Sequence, residues 1–402
     1  MAETRKASRF IVPVAVAGVA AATIGLVPAL AASGDPDLPE ITAQQLIEKI
    51  AASDTQTLSG TFKISTDLGL PALDGLASGL GGLGGGDGGS ASADPTEKLT
   101  SLFSGSHTLR IAADGPERQR LTLLDGSDEY SLIHNGDDVW GYDSKSKEAF
   151  HEKGAGGPGA PGKDEKLPGT PKQLADEVLK AAGDTTSITV DGTAKVAGRD
   201  AYQLVIKPKQ TGSTVESVKI AVDAANGTPL KFTLSSVEGG KPVVDAGFTK
   251  VDFGKPAASE FTFKAPKGVK VTEGAAEKAE KGEKVPGDLP EGFEGGFPGL
   301  GKDFGKDFGK GFEGSGEGMN VIGEGWTTIA KLDMGGPAPK TDEAPKEVQG
   351  FLDSFGDKVT GKFGSGTVFK TKLVNALMTD DGKVYVGAVT KDALVAAANA
   401  GK

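Results

Sequence analysis

Apolar residues recur with two periods along this chain, and the period of two prevails. Ile41 to Ser53 carries Leu46, Ile47 and Ile50 on one helical stripe, with Thr42 placed to cap it, Gln45 to close the capping box and Ile41 to staple onto Leu46. From Thr57 the period changes. Leu58, Phe62 and Ile64 alternate with Ser59, Lys63 and Ser65, which predicts a strand with one wet face. A dense strand series then extends to about residue 152. His107, Leu109 and Ile111 alternate with Thr108 and Arg110, and Leu121 and Leu123 with Arg120 and Thr122. Tyr130 and Leu132 lead to Asn135-Gly136, and Trp140 and Tyr142 share one face of the next strand. Turn chemistry at Asp114-Gly115-Pro116, Asp125-Gly126 and Asn135-Gly136 falls at hairpin distances, so the expected product is an antiparallel meander.

A second helix is signed by Thr170 as cap, Pro171 at its first position, Gln173 closing the box and Gly183 ending it, with Leu174, Val178 and Leu179 as its apolar face. More strands follow at Ile188–Val190, around Tyr202, Leu204 and Ile206, around Val218, Ile220 and Val222, at Phe232 and Leu234, from Phe248 to Phe253, and at Phe261 and Phe263. About eleven strand candidates against two helices predict an α+β fold dominated by an antiparallel sheet, since most connections are too short for parallel crossovers. Residues 319–402 form a smaller α+β unit of their own. It has a strand at Trp326 and Ile329, a helix opened by Pro345 with Val348, Phe351, Leu352 and Phe355, hairpin strands from Gly361 to Val389 around Asp381-Gly382, and a last helix over Lys391–Ala400.

Composition changes this picture at three places. Glycine, 61 of 402 residues, gathers in two stretches, 68–93 and 273–318. The second sets Phe293, Phe297, Phe304, Phe308 and Phe312 among glycines and reads as a flexible linker with hydrophobic stickers, or as a segment that touches lipid or a partner. The net charge of −11 repels phosphate backbones, so nucleic acid is excluded as a partner. The absence of cysteine excludes disulfides, thiolate metal sites and a lipid-modified N-terminal Cys. Finally, Arg5, Lys6 and Arg9 precede an apolar, charge-free run from Phe10 to Ala32. Residues 1–32 are either a signal peptide cut after Ala31 or a retained membrane anchor, and both readings place residues 33 onward outside the cytoplasmic membrane.

Catalytic chemistry finds no footing. GxGxxG occurs at Gly79, Gly84 and Gly309 only inside the low-complexity stretches, without the strand and helix a phosphate cradle needs. There is no GK[ST], GxSxG or HExxH, and His107, His134 and His151 stand far apart on strands. Leu167-Pro168-Gly169-Thr170 is part of a helix start, not a wall-sorting signal. The expectation is a non-enzyme with no cofactor and no metal.

What the sheet offers is grease on one face. Phe62, Ile64, Leu109, Ile111, Leu121, Leu123, Trp140, Tyr142, Tyr202, Leu204, Ile206, Phe232, Leu234 and Phe248 are expected to point the same way. Two amphipathic helices have to cover that face. A curved sheet closed imperfectly by them leaves an apolar cavity suited to acyl chains, the competing outcome being a fully packed core.

Residues 40–272 also resemble a known superfamily. The helix over residues 42–53, then Thr57-Leu58-Ser59-Gly60-Thr61-Phe62, then Asn135-Gly136-Asp137-Asp138-Val139-Trp140-Gly141-Tyr142-Asp143-Ser144, resemble the LolA/RseB group. So do Val196-Ala197-Gly198-Arg199-Asp200-Ala201-Tyr202-Gln203-Leu204 and the hairpin of Val222-Asp223 with Pro229-Leu230. The resemblance implies a bacterial member, of actinobacterial type, with an unclosed antiparallel barrel capped by helices that shields acyl chains of lipids or lipoproteins in transit. The RseB-like branch implies a second small domain and a membrane partner such as an anti-sigma factor. The Gly/Leu insertion at 68–93 and the Phe-Gly stretch depart from the short carriers.

Overall fold

The computed structural model describes residues 35–69, 105–153, 171–273, 319–334, 336 and 356–401. Helix α1 (Ala43–Ala51) starts where its capping box dictates: Thr42 Oγ1 accepts from Gln45 N at 3.2 Å, and Gln45 Oε1 accepts from Thr42 N at 2.9 Å. The chain then enters β1 (Thr57–Thr66), followed after residue 104 by β2 (Gly105–Asp114), β3 (Arg118–Asp125), β4 (Asp128–Asn135), β5 (Asp138–Asp143) and β6 (Glu148–Lys153). These five strands form the expected meander, each antiparallel to the next. Gly126 and Gly136 take φ of +60° and +64° in its turns, where a residue with a Cβ is rarely accommodated.

Helix α2 (Pro171–Ala182) precedes β7 (Thr186–Val196), β8 (Arg199–Pro208), β9 (Val215–Asp223), β10 (Pro229–Ser236) and β11 (Val244–Asp252). With β12 (Lys270–Glu273) they complete a mixed, unclosed twelve-stranded sheet in the order β12-β6-β5-β4-β3-β2-β1-β11-β10-β9-β8-β7. The strand β1 therefore joins the two antiparallel series by pairing with both β2 and β11.

Three local expectations are corrected. Phe261 and Phe263 do not form a strand: Ala258–Phe261 is a 3-10 turn in a segment that crosses the sheet, and the strand that follows, β12, pairs parallel to β6. The period of two was present there, but an isolated aromatic pair between Pro256 and Pro266 has no neighbouring strand to bond. The packed side of α2 runs through Ala175, fully buried, and Leu179, while Val178 is 48% exposed. Trp326 sits in a 3-10 turn, Gly325–Thr327, and only Ile329 enters the strand. The expected segments 1–32, 70–93, 154–170, 274–318 and the helix from Pro345 lie outside the described residues.

The last part of the chain builds a six-stranded antiparallel sheet from β13 (Met319–Ile322), β14 (Ile329–Asp333), β15 (Gly356–Gly361), β16 (Gly364–Phe369), β17 (Asn375–Thr379) and β18 (Lys383–Gly387). Helix α3 (Lys391–Ala400), capped by Thr390 Oγ1, covers one face, with Val368, Leu377, Tyr385, Leu394 and Ala398 as its core.

The two sheets are joined by more than covalent chain. Ser213 and Val389 form an antiparallel bridge, Thr214 N donates to Ala388 O at 3.0 Å, and Thr390 N donates to Gly212 O at 2.8 Å. Trp326 Nε1 donates to Thr186 Oγ1 at 2.8 Å, and its backbone N donates to Gln210 Oε1 at 2.9 Å. Lys372 N donates to Leu68 O at 2.8 Å, and its Nζ pairs with Asp67 at 2.7 Å. Thr214 and Ser236 give their hydroxyl protons to the carbonyls of Leu373 and Lys372. Main-chain groups dominate this contact, so it holds one orientation, and breaking it would leave buried donors and acceptors unpaired.

Candidate functional site

Cross-strand register decides which predicted residues meet. In an antiparallel pair, directly opposed residues project to the same face. Phe62 lies opposite Phe248 on β11 and Leu109 on β2, Leu109 opposite Leu123, and Leu123 opposite Tyr130. One step along the same face, Gly60 opposes Ile111, Ile111 opposes Leu121, Leu121 opposes Leu132, and Gly141 lies between Leu132 and Phe150. Ile64 belongs to this face as well, opposite His107. The rings of Phe62 and Phe248 meet edge to face with centroids 5.0 Å apart.

Continuing across β11, Phe232 opposes Ala246 and Ile220, Leu234 opposes Val218, and Ile220, Val218 and Val222 oppose Leu204, Ile206 and Tyr202. Here the helices dock. Leu46 and Ile47 of α1 and Ala175 of α2 bury against Tyr202, Leu204, Ile206, Val215, Val218, Ile220 and Val222, with Phe232 and Leu234 packed at the margin. Gln44 Nε2 donates to Asp176 Oδ1 at 3.0 Å, fixing the two helices side by side, and Tyr202 Oη donates to Pro39 O at 3.0 Å.

The predicted set therefore divides. Tyr202, Leu204, Ile206, Phe232 and Leu234 lie beneath the helices. Phe62, Leu109 and Phe248 are buried in a second cluster with Val196, Ala201 and Leu230. Ile64, Ile111, Leu121 and Leu123 border that second cluster and stay only partly buried. A cleft of about 530 Å³ opens at this end of the meander, lined by His107, Leu123, Tyr130, Asp143 and the β3–β4 turn.

Trp140 and Tyr142 part company with the rest. Trp140 opposes Ile133 and Tyr142 opposes Ser131, which puts both on the reverse face of the sheet. There they pack on Phe263 with centroids 5.2 and 5.3 Å apart, and Trp140 stacks on His151 at 3.9 Å and 12°. The 3-10 turn buries Phe261 over this side, and Arg120 Nη1 donates to Glu260 O at 3.2 Å. Alternation fixes a face only within a strand; the turn at Asn135-Gly136 fixes it between strands, and a shift of one residue inverts it. Tyr130, Leu132 and Phe150 join the apolar face instead, legible as alternating positions once the register is known.

The histidines do different structural work. His134 is buried with Nε2 2.7 Å from Gly136 O, while His151 sits between Asp138 and Glu273 at 2.9 and 2.8 Å and ties β12 to the meander. Among the described residues, no three His, Asp or Glu side chains gather as metal ligands.

No family model matches the sequence, and no curated protein matches it. Solved structures similar to this chain include the MucA/MucB complex of Pseudomonas aeruginosa, 18% identical over 89% of this chain and 96% of that one, with a TM-score of 0.36. A LolA superfamily protein of Nitrosomonas europaea is 11% identical over 56% of this chain and 99% of that one, with a TM-score of 0.20. A putative outer membrane lipoprotein-sorting protein domain of Vibrio parahaemolyticus is 11% identical over 54% and 95%, also with a TM-score of 0.20.

Proposed function

We propose that this chain is an exported, non-catalytic protein that shields acyl chains of a lipid or lipoprotein against the apolar face of its large sheet, outside the cytoplasmic membrane. The observation that carries this reading is the uneven cover of that face. Helices α1 and α2 pack over β7 to β10, while Ile64, Ile111, Leu121 and Leu123 on β1 to β3 remain partly exposed, Leu123 at the edge of an open cleft. Each 100 Å² of such surface taken from water contributes about 2.5 kcal/mol, so an acyl chain laid along these four residues is favoured without any charged contact. In this reading residues 40–272 are the binding body, 273–318 a linker and 319–402 a second domain. Residues 1–32 engage the membrane during export, as a cleaved signal or as an anchor.

A second reading rests on the docking of the two sheets. An RseB-like sensor would bind acyl chains at the same face and present its six-stranded sheet to a membrane protein, and the main-chain contacts through Gly212, Ser213 and Thr214 supply a stiff connection between the two. Mass spectrometry of an organic extract of the purified full chain tests the first reading. Stoichiometric lipid is expected; protein that is free of lipid and refuses fatty-acid probes would overturn it. A stable complex with a membrane protein, dissociated by added lipid, would favour the sensor.

A further inference from the structure

The reverse face of β11, β1, β2 and β3 collects cations that form no ion pair among the described residues. Thr61 lies opposite Lys250 on one side and Arg110 on the other, so these two flank it in a single row, and Lys63 stands two residues further along β1 on the same face. Arg110 opposes Thr122, whose neighbour two residues before it on β3 is Arg120. Lys63, Arg110 and Lys250 are exposed. None of the ion pairs among the described residues includes these three or Arg120, whose guanidinium is held by Thr122 Oγ1, Ser131 Oγ and Glu260 O. The carboxylates on this side are Glu129 and Glu260, which line the same cleft, Asp252, which accepts from Gly254 N in its own turn, and Asp245 and Asp114, which are paired with Lys231 and with Arg118 and Lys255. In a chain of net charge −11, four cations without an ion-pair partner here outnumber the three carboxylates, Glu129, Asp252 and Glu260, that also lack one, which leaves a local positive excess.

A polar cleft of about 340 Å³ indents this patch, with Ser59, Thr61 and Thr122 hydroxyls beside Arg110 and Arg120 and the Pro256–Glu260 segment as its wall. Hydroxyls and guanidinium groups around a small recess suit a phosphate oxygen cluster, and the flat row of flexible lysines around it suits many phosphates at once. We infer that this face docks on the surface of an anionic phospholipid bilayer, with a headgroup phosphate in the cleft. The surface lies opposite the apolar face and stands whether or not acyl chains bind there.

The test compares full chains by co-flotation with neutral phosphatidylcholine vesicles and with vesicles rich in phosphatidylglycerol. Comparing variants on the same vesicles cancels the contribution of the N-terminal segment, Arg5, Lys6 and Arg9 included, because every variant carries it. The patch variant Lys63→Gln/Arg110→Gln/Lys250→Gln is set against a variant with the same charge change elsewhere, Lys180→Gln/Lys358→Gln/Lys362→Gln. At low salt the patch variant is expected to lose on the order of a hundredfold of the preference for anionic vesicles, about fivefold per cation, while the remote variant retains it. Salt near 1 M should abolish the preference of the unsubstituted protein. Equal losses in both variants, or no anionic preference in the unsubstituted chain, would overturn the inference. So would a patch variant that keeps vesicle binding but loses binding to polyglutamate, which would assign the face to an acidic polypeptide. Matching thermal unfolding of the two variants shows that the fold is intact.

Discussion

Arg199 grips Asp223 across the β8–β9 hairpin through two guanidinium nitrogens, Nε to Oδ2 and, at 3.1 Å, Nη2 to Oδ1. Asp223 is 1% exposed and Arg199 about one-third exposed, so the carboxylate has given up its water and the guanidinium has kept some. Ala225 N and Asn226 N donate to the same Oδ1 at 2.9 and 3.0 Å and close the β9–β10 turn, while Arg199 also lies over the Phe253 ring at 4.7 Å. Removal of the cation strands a buried anion; removal of the anion does not strand a buried cation. Arg199→Ala is therefore expected to cost about 3 kcal/mol and Asp223→Asn about half of that, as read from urea unfolding.

The same pair sets an acid limb. Burial alone raises the Asp223 carboxyl, but the hydrogen bonds from Arg199, Asn226 N and Ala225 N, with the Arg199 charge, outweigh it and hold the group below the usual carboxylate range. A depressed folded-state pKa gives stability that is complete above the unfolded value near 3.9 and is lost as pH falls through the folded one. Stability measured between pH 5 and pH 2 should fall less steeply in Asp223→Asn than in the unsubstituted protein.

Gly227 holds α1 close to the sheet. It takes φ +76°, and a Cβ there would lie 2.3 Å from Lys49 O at the end of α1. Gly227→Ala combines left-handed strain with a backbone collision and should cost about 2–3 kcal/mol in thermal or denaturant unfolding.

Trp326 and Gln210 clamp the two sheets. The indole donates to Thr186, its backbone N donates to Gln210 Oε1, and Gln210 Nε2 donates to Glu324 O at 3.2 Å. Trp326→Ala should cost about 3 kcal/mol and, joined to Gln210→Ala, split one unfolding transition into two by calorimetry.

Acyl binding should follow the register. Ile111→Gln with Leu121→Gln would place two amides in the partly exposed strip and is expected to weaken a fluorescent fatty-acid probe by about tenfold or more. Trp140→Leu, on the reverse face, should leave that affinity unchanged.

Much of this architecture was legible in the residues. Thr42 and Gln45 announced α1, Asp125-Gly126 and Asn135-Gly136 announced the meander, and Lys391–Ala400 emerged as a helix at its expected ends. These signals are local, arising from one cap, one turn or one period. The face of Trp140 was not legible, because it depends on how β5 registers against β4, which no alternation inside either strand encodes. Nor could the packing of Phe263 on Trp140 and Tyr142 be read, since it joins positions more than a hundred residues apart. Of the fourteen positions named for the candidate site, all but Trp140 and Tyr142 share a face by register, and the helices' choice of β7 to β10 was visible only in three dimensions.

The four residues of β12 bear on how one border of such a wide sheet meets another copy of the chain. An open sheet ends in backbone groups that invite another copy to add on, and solutions of such proteins tend toward fibrils. Here one border is a short, fully exposed strand running against the grain of the meander, flanked by Lys270 and Glu273, and fastened by His151. At the opposite border β7 packs one face against α1 and α2. A strand approaching the β12 border meets charge before it meets a ladder, so addition of another copy is opposed there.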